Sequence, residues 1–187
     1  MKRRHFLNLL AASAAGSALP AMVAAATSPQ AGKSIAEIQK SWESLLPADA
    51  KLDLSTAPVV RSEAEWKQAL PDSSFYVLRK EGTERPFSSP LNDEKRAGLF
   101  VCAGCALPLF GSQMKYDSGT GWPSFFTSIP GNLATKKDFL MIVERTEYHC
   151  VRCGGHQGHV FDDGPPPTRQ RWCNNGVSLR FIAATKA

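Results

Sequence analysis

Apolar positions follow three patterns along the chain. Leu9 to Ala26 is a run without a charged side chain. Ile35, Ile38, Trp42, Leu45 and Leu46 then recur at helical spacing until Pro47 stops them. From Ser74 onward, short apolar runs alternate with segments rich in Gly, Pro, Ser and Asp. Two capping boxes, Ser34-Ile-Ala-Glu37 and Ser62-Glu-Ala-Glu65, open short helices, the second ending near Pro71. Asp49 to Val60 reads as linker, and the helix before it either packs on the core or merely covers it. Strands are predicted at Phe75–Leu78, Leu99–Cys102, Phe139–Val143 and Val177–Ile182, a mainly β domain of antiparallel sheets behind short N-terminal helices. No long helix is predicted after Pro71, and neither an internal repeat nor a nucleotide-binding glycine motif appears. The expected division is a leader over 1–26, an extension over 27–61 and the domain over 62–184.

The leader changes how charge is read. Met-Lys-Arg-Arg-His-Phe-Leu precedes the apolar run, Ala24-Ala25-Ala26 offers a cleavage site, and Arg3-Arg4 before Phe6-Leu7 marks a twin-arginine secretory signal. The run is alanine-rich and broken by Ser13, Gly16, Ser17 and Pro20, so it is weakly hydrophobic for a membrane anchor. An exported, periplasmic protein is expected. Removing residues 1–26 lowers the formal charge from +5 to +2, so the basic balance argues poorly for nucleic acid.

Cysteine use then sharpens the chemistry. Of five cysteines, Cys102/Cys105 and Cys150/Cys153 form two Cys-x-x-Cys pairs, each followed by small or turn-forming residues, the spacing at which thiolates grip a tetrahedral Zn²⁺. The pairs are too far apart for a compact zinc ribbon, so the fold must bring them together as a staple. Four thiolates leave no position for water, which makes the expected zinc structural. Disulfides, usual in exported proteins, fit an odd count badly. Export of an already folded protein would let the thiolates be metallated first.

Cys173 is left alone in Arg171-Trp-Cys-Asn-Asn175, where neighbours two residues away share a strand face. A guanidinium there would favour the thiolate and lower its pKa. An inert buried cysteine is the commoner fate of such a residue. His156 and His159 change the balance: in Gly-Gly-His-Gln-Gly-His-Val-Phe they read as a loop laying two imidazoles against one cavity, free for proton transfer. His149 precedes a predicted metal ligand and is read as solvated or supporting that ligand.

The motifs Gly-Thr-Glu-Arg-Pro-Phe (82–87), Cys-Ala-Gly-Cys (102–105), Ser-Gly-Thr-Gly-Trp-Pro-Ser-Phe (118–125), Gly-His-Gln-Gly-His-Val-Phe-Asp-Asp-Gly-Pro (155–165) and Arg-Trp-Cys-Asn-Asn (171–175) resemble methionine sulfoxide reductases of type B. The resemblance spans roughly 62–184 and implies two antiparallel β-sheets, zinc on the paired cysteines and a catalytic Cys173 acting on methionine-R-sulfoxide. It further implies that Trp122 receives the S-methyl group, with His156, His159, Asp163, Arg171 and Asn175 around the sulfoxide oxygen and thiolate. Oxidised protein methionine and an external thiol reductant, thioredoxin-like or other, are the implied partners of a monomer. The chain departs from the family at Trp172, Asn174 and Gly176, commonly Tyr, Ile and Ser, and at Gln157, commonly Leu. Thr120 stands where some members carry a resolving cysteine. A zinc-binding module would leave Trp122, both histidines and Cys173 unexplained, and a disulfide-exchange enzyme would use a Cys-x-x-Cys at a helix start.

Overall fold

The computed structural model describes residues 32–48, 50–139 and 144–185, so the predicted leader and Asp49 lie outside the described residues. Both capping boxes form. Ser34 and Ser62 each accept from the backbone of the glutamate three residues on, whose carboxylate reaches back to the serine N–H. They open α1 (Ile35–Lys40), continued by a 3₁₀ turn over Ser41–Leu45, and α2 (Glu63–Ala69). The choice left open for α1 is decided by Ile38, which is buried in the main core, and by Gln39, whose amide donates to Thr127 at 2.9 Å. Among the described residues no helix is long and apolar enough to cross a membrane.

The predicted strand at Phe75–Leu78 is instead part of α3 (Asp72–Lys80). Its aromatic and branched residues suggest a strand, but Ser74, Phe75, Val77 and Leu78 are buried while Tyr76 is exposed, which is helical spacing. Asp72 in the first turn and Arg79-Lys80 in the last complement the helix dipole, a signal that outranks β propensity here.

Among the described residues nine strands make two antiparallel sheets. The smaller has the order β2 (Pro108–Gly111), β1 (Gly98–Cys102), β9 (Leu179–Ala183). The larger runs β3 (Lys115–Tyr116), β4 (Ser124–Phe125), β8 (Arg171–Asn174), β7 (His156–Phe161), β6 (Arg145–Cys150), β5 (Leu133–Asp138). Two further predictions shift. Val177 and Ser178 belong to a 3₁₀ turn before β9. The strand expected at 139–143 gives way to β5 and β6 on either side; Phe139 is in neither, and 140–143 lie outside the described residues. β5, Leu-Ala-Thr-Lys-Lys-Asp, has too little apolar content to announce itself; its backbone pairs along all six residues of β6.

The sheets meet through aromatic rings. Phe110 of the small sheet stacks on Phe125 of the large one at 4.0 Å between centroids, and Phe100 meets Phe125 edge-on at 5.0 Å. Trp172 joins this core by its edge contact with Tyr148, so alternate β8 residues Arg171 and Cys173 face the other way.

Candidate active site

The cysteine pairs sit at strand ends: Cys102 closes β1 of the small sheet, and Cys150 closes β6 of the large sheet just before β7. All four sulfurs lie within 4.8 Å of one another, with Cys102–Cys153 at 3.6 Å and Cys105–Cys150 at 3.5 Å. A disulfide needs about 2.05 Å. A tetrahedron of sulfurs about 2.3 Å from one ion has edges of about 3.8 Å, close to the two shortest separations, so the cluster could hold a metal ion. Such an ion would staple the two sheets. Gln157, fully buried, points its amide at Cys102 Sγ at 3.4 Å, a donor toward a thiolate where family members commonly have Leu.

The second site is built on one face of the large sheet. Across β6, β7, β8, β4 and β3 the register aligns Glu147, His159, Cys173, Ser124 and Tyr116 in a row. His156 and His159 lie on β7 and not in the predicted loop; three apart on a regular strand, they would face opposite ways. A bulge rescues them. Tyr148 pairs with Gly158 and His149 with His156, leaving Gln157 unopposed, so the two rings lie 5.4 Å apart on one face. Asn175 holds the bulge, its backbone N and Nδ2 both donating to the Gln157 carbonyl at 2.8 and 3.0 Å. Gly158 is required beside it, since a Cβ there would stand 1.9 Å from the Cys173 carbonyl oxygen.

Each histidine has a carboxylate. Glu147, itself buried, takes His156 Nδ1 at 2.7 Å and His149 Nδ1 at 3.1 Å, so His149 is partnered and not merely solvated. Burial pushes the Glu147 carboxyl up, yet the two imidazoles together hold it at about 2. Asp138 takes His159 Nε2 at 2.8 Å and Arg145 at 2.6 Å. Burial draws the His159 pKa below its ordinary value, with Asp138 opposing.

Cys173, half-buried, lies in a pocket of about 130 Å³ walled also by His159, Trp122, Phe161 and Asn175. Thr83 and Arg145 complete the wall from segments in which no functional residue was predicted. Trp122 is fixed by its indole N–H donating to the Glu84 carbonyl at 3.2 Å. The expected fall in the Cys173 pKa is corrected: burial raises it, and Arg171 lowers it only in part. Arg171 is occupied by Asp163 through two bonds of 2.7 and 2.8 Å and stacks over Phe161 at 4.2 Å. The structure therefore brings His159, Trp122 and Asn175 to the pocket wall, whereas His156, Asp163 and Arg171 are not among the lining residues. Asn175 also braces the wall: its oxygen accepts the Glu84 N–H at 2.9 Å and its amide donates to the Gln157 carbonyl.

Glu84 is the residue that pattern reading missed. Its carboxylate accepts the N–H groups of Gly176 and Val177 at 2.5 and 3.0 Å, tying the loop that carries the Trp122 partner to the end of β8. A lone glutamate in Gly-Thr-Glu-Arg-Pro-Phe announces nothing of this.

Together, a four-sulfur cluster between two antiparallel sheets that could hold a metal ion and a separate thiol facing an imidazole in a small pocket define a thiol-dependent class of β enzyme. A family model described as the SelR domain matches residues 70–183, and the chain belongs to that family. Relatives include a "Peptide methionine sulfoxide reductase MsrB" of Hahella chejuensis, 50% identical over 67% of this chain and 91% of the relative. One of the same name from Agrobacterium fabrum is 46% identical over 69% and 96%. The chloroplastic "Peptide methionine sulfoxide reductase B1" of Arabidopsis thaliana is 45% identical over 67% and 62%.

Proposed function

We propose that the protein reduces methionine-R-sulfoxide, chiefly in proteins, to methionine, with Cys173 as nucleophile. The observation that carries the reading is the position of Cys173: the one cysteine outside the sulfur cluster is opposite His159 and beside Trp122 in a pocket sized for one small side chain. Trp122 and Phe161 receive the S-methyl group. His159, turned by Asp138 on Nε2, keeps its other ring nitrogen for the sulfoxide oxygen; a low pKa makes its protonated form a strong acid toward that oxygen. The thiolate attacks the sulfoxide sulfur. Oxygen passes with one proton to Cys173, which becomes a sulfenic acid as the substrate sulfur is reduced by two electrons and leaves as a thioether. Asp163 holds the Arg171 fork, and Glu147 holds His156, so both supporting side chains are fixed before substrate arrives.

The metal is Zn²⁺ in this reading, held by Cys102, Cys105, Cys150 and Cys153; when bound, it supplies a structural link and no reactive ligand position. With four thiols committed and Thr120 in place of a resolving residue, an outside thiol attacks the sulfenic acid, releasing water and forming a mixed disulfide that a second thiol clears. One equivalent of substrate without reductant should consume one thiol per chain. Mass spectrometry should find a sulfenic-acid adduct on Cys173, whereas a disulfide from Cys173 to any cluster cysteine would refute the scheme. Residues 1–26 serve in this reading as a twin-arginine leader directing a monomeric 62–184 domain to the periplasm, where it repairs oxidised exported proteins; the motif at Arg3-Arg4 supports it. N-terminal sequencing of the exported form should begin after Ala26, and retention in the cytoplasm on Arg3→Lys with Arg4→Lys should follow.

A further inference from the structure

We propose that Arg152 and Asp53 are positioning residues of the sulfur cluster: the segment before α2 grips Arg152, which ties the two cysteine pairs to each other and so tightens their hold on the metal. The inference rests on the cluster binding Zn²⁺. Each pair is shaped by its own turn, with the Ala106 N–H donating to the Cys102 carbonyl and the Gly154 N–H to the Cys150 carbonyl, both at 2.8 Å. Those bonds act within a pair and leave the spacing between pairs to other groups.

Arg152 acts between them. It lies inside the second pair, in Cys150-Val-Arg-Cys153, and its side chain is only 13% exposed. Its Nη1 donates to the Asp53 carbonyl at 2.9 Å and reaches the carbonyl of Cys105, in the first pair, at 3.5 Å. Its Nη2 donates to the Asp53 carboxylate, and its own carbonyl accepts the Val59 N–H at 2.7 Å. Segment 53–59 is therefore pinned to one residue at both ends. The Ser55 N–H, at 2.9 Å on the other carboxylate oxygen, aims Asp53, and Val59 packs against the core.

The charge of a loaded cluster explains why such a grip matters. Four thiolates on one divalent ion leave a net charge of about −2, which a guanidinium on the ligands' own backbone offsets. Arg79 does the same from α3, donating to the Cys153 carbonyl at 2.8 Å while lying over the Trp66 ring at 5.1 Å. For Arg152 the corresponding anchor is Asp53. The Asp53 side chain is 60% exposed, so its ion pair contributes little to folding by itself. Its effect on the metal passes through Arg152, and metal affinity separates that role from plain stability.

The test is competition for Zn²⁺ between the full chain and a chromophoric chelator, read beside the melting temperature of the loaded protein. Arg152→Ala should weaken Zn²⁺ binding about 10- to 100-fold, the scale of losing a group that orients metal ligands. Asp53→Ala should weaken it about threefold, the scale of one exposed ion pair, with the melting temperature nearly unchanged. The double variant should bind no more weakly than Arg152→Ala alone, because one residue acts through the other. Wild-type affinity in Arg152→Ala overturns the proposal, and so do additive losses in the double variant, which would mean that Asp53 acts without Arg152. If Arg152→Ala fails to fold, Asp53→Ala decides by itself, and wild-type affinity there is fatal. Wild-type chain that takes up no Zn²⁺ at all would refute the metal reading first, an outcome distinct from equal affinities among variants that do bind.

Discussion

The four-sulfur cluster and the Cys173 pocket use the same side chain to opposite ends. In the cluster, sulfurs 3.5 and 3.6 Å apart are placed to share one cation, and three of the four cysteines are buried. In the pocket, a single sulfur faces an imidazole and an indole across an open space of about 130 Å³. Reactivity is decided by what surrounds the thiol. Thiolates that fill every coordination position of an ion would make a joint between sheets; a single thiol with room beside an imidazole has the surroundings that suit a nucleophile. The two regions touch through Gln157, whose amide points at Cys102 Sγ and whose carbonyl anchors Asn175 at the pocket.

The contrast breaks most violently at the cluster. Structural zinc is worth roughly 10–16 kcal/mol in zinc-finger peptides, against a whole-domain stability of about 5–15 kcal/mol. Cys102→Ser or Cys150→Ser should therefore lose metal and fold together, checked by metal analysis and thermal melting. A variant with an unchanged melting temperature would show the cluster to be no staple.

At the pocket the same substitution should leave the fold alone. Cys173→Ser is expected to abolish sulfoxide reduction, a fall of about 10⁴-fold or more, with metal content and melting temperature unaltered. Activity assay beside calorimetry separates the two regions in one experiment.

Trp122→Ala sharpens the picture of the pocket wall. Removing a large aromatic surface costs about 2–4 kcal/mol by analogy with core truncations, a loss of roughly 30- to 1000-fold in kcat/KM for the R epimer. Metal content should stay constant, and an unaltered kcat/KM would remove Trp122 from the substrate site.

The smallest expected effect concerns acid. Glu147 has a folded pKa of about 2 against an ordinary 4.5, so its contribution is fully present above about 4.5 and is lost as pH falls toward 2. A loss on the order of 2 kcal/mol across that window is expected, and Glu147→Gln should flatten it. Denaturant melts at several pH values measure the difference; parallel curves for the two proteins would show the carboxylate to be uncoupled from folding.

Particular residues mark how far the chain could be read without its fold. The Ser34 and Ser62 caps and β1 are local, set by spacings of two to four residues, and appear where the pattern puts them, whereas the two Cys-x-x-Cys units, each local, meet only through the fold. Phe75–Leu78 was misread because its residue types favour strands, while its helix is held by distant partners: Ser74 Oγ on the Val177 carbonyl at 2.7 Å and Arg79 on the Cys153 carbonyl at 2.8 Å. β5 was missed because a sheet can recruit a charged segment through its backbone alone. Glu84 was missed because its partners, Gly176 and Val177, are some ninety residues away.

What the sequence by itself determined is therefore the inventory: two thiol pairs of metal-binding spacing, one thiol apart from them beside an arginine, and two histidines three residues apart. What only the tertiary structure decided is the geometry that makes the inventory work. The bulge at Gln157 turns both imidazoles to one face, the sheet register sets Cys173 opposite His159 and Ser124, and the burial that follows raises the thiol pKa against the pull of Arg171. Spacing along a strand fixes a side chain's face only while the pairing is regular. Where an extra residue intrudes, or low-dielectric surroundings oppose a neighbouring charge, the outcome depends on groups far off in the chain.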